Sequence, residues 1–424
     1  MSVPISDRLF LNYLQCKYKA YLKLAGKCGT KGECEIFLDD QSATYRRNAR
    51  EHFQQINPIA PHPETTIAFK YIKKQKQGVA TDVSIANDRH DLTLDAVELA
   101  ATSSSQKPVY NPVIFLPHHK TTKQDKLLLA FCGLVLSHEQ KCEPSSGRFI
   151  FGNKLLSSKV QLPSLIKAAG KIEKEITKLM ETQTAPALRL NDHCKKREFQ
   201  TGCMAAVKEK DDLSLLRGLS GKEIDALNKR GIFTVTQYSY TFRPRRAKKL
   251  MAQKIVKHHH SLNALAIRTQ TIYISGKPEL PTATTRVYLD VEGIPEESFY
   301  YLIGLIVDDG TNVIEHALWA NDKSEEKTIW RSFLEVMEQL SDYALFHYGS
   351  YETRFIKQMG TEYGGSGELL DKIRSCSFNV LSAIYGRIYF PTYSNDLKSI
   401  ATFLGFKWSD QNVIFHEHSP TPFS

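Results

Sequence analysis

The chain has 424 residues, 42% hydrophobic and 24% charged. That balance excludes a disordered or collagen-like polymer, and at roughly 150 residues per domain the length predicts two or three domains. No uninterrupted apolar run approaches the roughly 18 residues that span a bilayer. The N-terminus MSVPISDRLFLNYLQCKYKAYL has no apolar stretch leading to a small-residue cleavage site, so a cytoplasmic protein with no membrane partner is expected. The net charge of +10 is unevenly divided: residues 1–270 hold 44 Lys and Arg against 25 Asp and Glu, and residues 271–424 hold 12 against 21. A basic body beside an acidic module suits nucleic acid, whose phosphates attract Lys and Arg and whose metal-dependent chemistry needs carboxylates. A solvated basic surface without a partner is the plainer alternative. The eight cysteines show no disulfide-scaffold spacing and read as thiols or metal ligands.

Taken in chain order, residues 1–60 predict helices, with Leu9, Leu11, Leu14, Tyr18, Tyr21 and Leu22 near helical spacing. TIAFKYIKK, GVATDVSIA and DLTLDAVELA, within residues 65–100, alternate like strands. PVIFL (112–116) reads as a buried strand, residues 126–140 as a helix, 148–153 as a strand and 160–185 as a long helix. Residues 211–240 predict a compact unit of two short helices punctuated by Gly218, Gly221 and Gly231, followed by a basic connector over 241–260. From Thr271 the pattern predicts three strands (RVYLDVEG, YYLIGLIVDD, VIEHALWA), a helix over 324–340, the strand ALFHYG and the helix YETRFIKQMG. The fold class is therefore α/β.

Asp290 and Glu292 stand two apart in LDVEG, so on a strand both carboxylates face the same way. Such a pair can hold Mg²⁺ or Mn²⁺ for phosphodiester chemistry. Gly293 permits a close approach or a sharp turn. Glu352 begins a helix just after a strand, where a third carboxylate can complete a metal site. The plain alternative is that these are ordinary surface acids.

These segments carry a resemblance. LDVEG, YYLIGL, HYGSYE and IYFPTYSNDLKSIATFLGFKW, within residues 287–408, resemble the YprB-type ribonuclease-H-like domain, a branch of the DEDD 3′–5′ exonucleases. The resemblance implies four carboxylates holding two metal ions: Asp290 and Glu292 match the first motif, and Glu352 matches the second, where Asp is commoner. The fourth acid is implied on a late helix. Ser424 follows Trp408 by sixteen residues, and neither Asp371, Asp396 nor Asp410 sits in the implied motif. The expectation is an incomplete, C-terminally truncated domain with one sheet face uncovered.

The whole chain resembles the RecB-like putative nucleases, in which a Cas4-like PD-(D/E)xK domain precedes the ribonuclease-H-like domain. The implied organisation is a Cas4/RecB-like restriction-endonuclease-type core over 1–210, a helix–hairpin–helix and basic connector over 211–270, and the ribonuclease-H-like domain over 271–424. Asp95 matches the metal-binding Asp of the first domain. Val113 and Phe115 stand where an acid and a lysine are implied, and Lys120 has no acid beside it. A degraded site is expected there, with Asp95 and Glu98 structural or solvated.

The resemblance also implies four cysteines holding an iron–sulfur cluster. Cys16 matches the first, and Cys194 and Cys203 match two of three positions in HCKKREFQTGC, with Arg197 at the middle one. His193 adjoins Cys194 and points elsewhere on any regular element. Cys28 and Cys34 are substitutes without motif support. Clusters normally take four thiolates, so the expectation is a lost cluster and buried thiols.

Gly218 and Gly221 flank the implied hairpin, whose backbone N–H groups would meet a phosphate, with Lys222, Lys229 and Arg230 supplying charge. Arg243, Arg245, Arg246, Lys248 and Lys249 would track a nucleic-acid backbone, and His258, His259 and His260 read as a solvated run. The expected function is metal-dependent phosphodiester hydrolysis of DNA or RNA, 3′–5′ in polarity. The resemblance also implies a helicase partner and no small-molecule cofactor. The alternatives are a non-catalytic nucleic-acid-binding protein derived from a nuclease, and a poorly folding relic.

Overall fold

The computed structural model describes residues 3–57, 66–100, 108–196, 198–243, 258–294 and 299–407. The chain divides into two compact units, Met1–Ala205 and Ala206–Ser424.

The first unit runs β1 (Ile5–Ser6), α1 (Asp7–Gln15), α2 (Lys17–Leu24), α3 (Glu33–Ile56), β2 (Ile67–Ala68), α4 (Phe69–Gln75), β3 (Val79–Ala86) and β4 (His90–Leu99). It continues through β5 (Tyr110–Leu116), α5 (Lys123–Gln140), β6 (Ser146–Phe151), β7 (Leu156–Gln161) and α6 (Pro163–Thr182) to α7 (Gln200–Glu209). Its mixed sheet has the order β2-β3-β4-β5-β6-β7, with β1 parallel to β4. β5 is buried along its whole length, as the run PVIFL predicts. Helix α5 is held at its start by a reciprocal cap between Thr122 and Asp125 and is apolar on nearly all sides, because it lies inside the main core.

Two stretches depart from the sequence pattern. TIAFKYIKK gives only two strand residues before α4, because Phe69 and Ile72 are buried at helical spacing while Tyr71 is exposed. Residues 156–161 form an edge strand that its polar sequence LSSKVQ does not announce, and α6 starts at Pro163, a residue suited to a helix's first turn.

In the second unit a short 3₁₀ turn (Leu213–Leu215) precedes α8 (Gly221–Asn228), α9 (Val235–Ser239), α10 (His260–Thr269) and β8 (Tyr273–Ile274). Then come β9 (Thr285–Ile294), β10 (Phe299–Asp308), β11 (Val313–Trp319), α11 (Glu326–Glu338), β12 (Tyr343–His347), α12 (Tyr351–Tyr363), α13 (Gly367–Ser375), β13 (Ser377–Asn379), α14 (Val380–Ile384), β14 (Ile388–Tyr389) and α15 (Leu397–Phe403). The five-stranded sheet has the order β11-β10-β9-β12-β13. The first three strands are antiparallel; β12 and β13 run parallel to β9.

Strand β9 is central and alternates. Val287, Leu289 and Val291 enter the core, while Tyr288, Asp290 and Glu292 take the opposite face. Helix α11 covers the core side with Ile329, Trp330, Phe333 and Met337. Its Glu326 is fully buried yet satisfied, accepting from the Tyr300 amide at 2.7 Å and the Tyr363 hydroxyl at 2.6 Å, with Lys323 as its ion partner.

Candidate active site

The alternation of β9 brings Asp290 and Glu292 to one face beside each other. Their partners across β10 are Gly304 and Leu302, and Gly304 has no side chain to cover Asp290. The carboxyl groups reach solvent, yet the protein around them removes enough water to matter. Burial raises the pKa of Asp290, and the charge of Glu352 raises it further. Burial likewise raises Glu292, followed by the charge of Asp290 and, more weakly, that of Glu352. Lys398, on α15, opposes both shifts.

Glu352 lies in the first turn of α12 and is buried. Its Oε2 has no hydrogen-bond donor; the nearest candidate, Nδ1 of the buried His347, is 3.6 Å away. A carboxylate oxygen so placed is unfavourable unless a cation meets it. Three mutually repelling carboxylates, one with an oxygen lacking a donor, suit a hard divalent cation. Among the described residues, however, no three His, Cys, Asp or Glu side chains already converge on one point.

Gly293 is required by close packing. A Cβ there would lie 2.6 Å from the Phe299 carbonyl oxygen and 2.8 Å from the Tyr351 hydroxyl. Tyr351 therefore abuts the end of β9 at Gly293, and burial together with nearby Tyr300 and Glu292 pushes its phenol upward. His347, Tyr351 and Lys398 were not singled out from the sequence. The segments that carry the resemblance do contain them, His347 and Tyr351 in HYGSYE and Lys398 in SNDLKSIA, and those motifs are the signal that could have found them.

The other acids near the implied fourth position have other roles. Asp396 caps α15, accepting from the Ser399 amide at 2.8 Å, and Asp371 is exposed and pairs with Arg374 at 2.9 Å. Asp410 lies outside the described residues.

Residues 287–415 match the sequence profile of the RNase H superfamily. The C-terminal part of the chain is an RNase H-like domain. A search of curated proteins returned no match.

In the first unit Asp95 sits on β4 with its Oδ2 accepting from the Phe115 amide at 2.8 Å and its Oδ1 3.6 Å from Arg46 Nε. One turn along α3, Arg50 pairs with Asp82 on β3 at 2.9 Å. Val113 and Phe115 pack with Ala49, Phe53, Ala96 and Ile150 in an apolar cluster. Glu98 pairs with Arg148 at 3.0 Å, and Lys120 is exposed. Guanidinium groups thus stand against the acids here, and apolar packing occupies the implied acid and lysine positions.

Cys16, Cys194 and Cys203 line one pocket, and so does His193. His193 and Cys194 lie in a 3₁₀ turn (Asp192–Lys196), and His193 is exposed with its Nε2 3.5 Å from Gln124 Nε2. The Cys203 thiol is pushed up to about 11 by burial and by Cys194 and Cys16. None of the three is in a disulfide; Cys28 is exposed, and Arg197 lies outside the described residues.

In the 211–240 segment the expected hairpin residues fall between a short 3₁₀ turn (Leu213–Leu215) and α8. Gly218 (φ +96°) precedes α8, and Gly221 is the first residue of α8, with only a short 3₁₀ turn before them. The left-handed turn between the two α-helices is at Gly231 (φ +78°). Glu223 already accepts from the Ser220 amide at 2.8 Å and its hydroxyl at 2.7 Å, placing a negative charge where a phosphate would approach. Lys222, Lys229, Arg230 and Arg243 are exposed; Arg245, Arg246, Lys248 and Lys249 lie outside the described residues. His258 is not solvated: it is buried, stacked on Tyr385 and Tyr389 at 4.6 and 5.0 Å, and burial lowers its pKa to about 4.

Proposed function

We propose that the RNase H-like domain hydrolyses phosphodiester bonds in nucleic acid with a divalent cation, acting as a 3′–5′ exonuclease. The observation that carries this reading is the carboxylate set on β9 and α12, with its mutual repulsion and the Glu352 oxygen that lacks a donor. Asp290, Glu292 and Glu352 would hold Mg²⁺ or Mn²⁺, which supplies charge neutralisation at phosphate and a more acidic water. The chain's own contribution is placement. β9 fixes two carboxylates two residues apart, α12 fixes the third from inside the fold, and Lys398 adds a positive charge to an otherwise anionic face. The exposed Lys222, Lys229, Arg230 and Arg243 would meet the substrate backbone through charge rather than through a preformed hairpin site. The first unit is read as a Cas4/RecB-like domain that has lost its nuclease site and its iron–sulfur cluster, and a helicase is its proposed partner.

The test is cleavage of end-labelled single- and double-stranded DNA and RNA with Mn²⁺, comparing the chain with Asp290→Ala. Cleavage by the parent chain that disappears in the variant supports the assignment; equal cleavage by both refutes it. One observation favours a second reading, a binding protein without catalysis: no three donors converge among the described residues. That reading predicts salt-sensitive binding with no cleavage, and binding unchanged between low and high salt would count against it.

A further inference from the structure

Helix α6 sets four lysines in one line. Lys167, Lys171, Lys174 and Lys178 follow one another at helical spacing, and all four are exposed. At 3.6 residues per turn they fall within an arc of about 60°, along about 16 Å of the helix. The opposite side is committed to the core of the first unit: Ile166, Ala169 and Ile176 are buried there, and Ile172 and Leu179 pack beside them. Packing therefore fixes which way the lysines face.

The helix does not neutralise this line itself. Glutamates three or four residues from lysines on a helix ordinarily pair with them. Here the two interior glutamates are engaged with other elements. Glu173 meets the buried His90 at 2.6 Å, and Glu175 meets Lys17 at 2.7 Å and accepts from the Tyr13 hydroxyl at 2.8 Å. Glu181 stands in the last turn, past the line. Among the described residues no carboxylate forms an ion pair with any of the four lysines. Neighbours in the line repel one another, because like charges at these spacings are unfavourable. A row of anions laid along the helix would relieve that repulsion.

A nucleic-acid strand and an anionic lipid surface both present anions in quantity, and the apolar residues decide between them. A helix that lies on a membrane needs exposed apolar side chains beside its basic ones. Among the described residues, none of the large exposed apolar side chains lies on α6, and its apolar side faces the core. A nucleic-acid backbone asks only for positive charge at a workable spacing. One strand of a duplex carries a phosphate every 3.4 Å of axis, so about five of them lie along 16 Å. Four lysines can meet nearly consecutive phosphates.

We infer that the lysine line of α6 is a nucleic-acid-binding surface, along which the phosphates of one strand run without regard to base sequence. The inference rests on the reading of this chain as one that acts on nucleic acid, and adds to it a binding surface carried by the first unit. A unit whose own acids are held by guanidinium groups then contributes affinity rather than chemistry.

The experiment uses the full chain and two variants of equal net charge. One carries Lys167→Gln, Lys171→Gln, Lys174→Gln and Lys178→Gln. The control carries Lys70→Gln, Lys74→Gln, Lys76→Gln and Lys154→Gln, all at exposed lysines elsewhere in the first unit. Binding of a short fluorescent DNA duplex and of single-stranded DNA and RNA is measured over a range of salt, with EDTA present so that nothing is cleaved. Each phosphate contact contributes about 0.9 to the slope of log affinity against log salt on a duplex and about 0.7 on a single strand. The α6 variant should therefore bind more weakly, with a slope shallower by about 3.6 on a duplex or about 2.8 on a single strand, while the control keeps the parent's slope. Labelling of the parent chain with an amine-reactive reagent gives a readout that does not depend on how the variant folds: bound nucleic acid should protect these four lysines. If the parent binds and the α6 variant matches it, or the control loses as much, or the four lysines label equally with and without nucleic acid, the surface assignment is wrong and the nucleic-acid reading stands. If the parent binds none of the probes at low salt, that reading fails and the inference falls with it. If the α6 variant loses only its binding to phosphatidylserine vesicles, the line serves a membrane and the inference is overturned.

Discussion

Replacing Glu352 by Met separates what the site does for function from what it costs the fold. The side chain is buried, its Oε2 lacks a hydrogen-bond donor, and His347 Nδ1 stands 3.6 Å away, beyond hydrogen-bond reach. A buried polar atom without a partner costs about 1–3 kcal/mol, and an apolar side chain of similar volume removes that cost. Neighbouring Phe355 and Ile356 show that α12 already presents apolar groups to the core. Without divalent cation, Glu352→Met should therefore raise the stability of the second unit by about 1–3 kcal/mol, read as a higher urea midpoint with an unchanged slope. With Mn²⁺ the order should reverse. The parent chain gains about 2.7 kcal/mol when the ion is at a hundred times its dissociation constant, and the variant gains little. Paired urea titrations with and without Mn²⁺ measure both effects. A variant less stable than the parent without metal would refute the reasoning, because it would mean that Glu352 is held by a favourable partner.

Three further outcomes follow from the same geometry. Asp290→Asn should raise metal-free stability near neutral pH. The folded pKa of Asp290 is elevated, so its unfavourable contribution is absent below the unfolded carboxylate pKa and grows as pH rises through the folded value; urea midpoints at pH 4 and pH 7 for both chains should diverge mainly at pH 7. Glu173→Gln should destabilise the first unit by about 1–3 kcal/mol, because Glu173 meets the buried His90 at 2.6 Å. Its lowered pKa, held down against burial by the hydrogen bond from His90, means that this contribution is present above the unfolded pKa and disappears as pH falls through the folded one, which an acid titration of stability would register. Gly293→Ala should cost about 1–3 kcal/mol and also weaken Mn²⁺ binding. The added methyl would press on the Phe299 carbonyl and the Tyr351 hydroxyl, and thermal denaturation with Mn²⁺ titration would detect both effects.

The central strand and its acids were legible because strand alternation is a strong local signal: LDVEG fixes its own inward and outward faces. The same holds for PVIFL, where a continuous apolar run leaves only a buried strand. Other features depended on partners that no local pattern reveals. Asp95 reads as a candidate ligand until Arg46 and the Phe115 amide are seen against it. His258 reads as part of a solvated run until Tyr385 and Tyr389 close over it from more than a hundred residues away. The polar edge strand Leu156–Gln161 shows no periodicity because only its backbone pairing, not its side chains, places it in the sheet.

The position of β9 between an antiparallel and a parallel neighbour constrains how this domain can change over generations. Each of its side chains is assigned to a face by its count along the strand, and both neighbours hold that count in register. One residue inserted or deleted between Arg286 and Asp290 would turn Asp290 and Glu292 into the hydrocarbon core and expel Leu289 and Val291. A change of two would preserve the faces and merely slide the pair along the sheet. Length variation in relatives that keep this chemistry should therefore avoid the strand or occur in even steps, whereas the loops on either side are free of that parity.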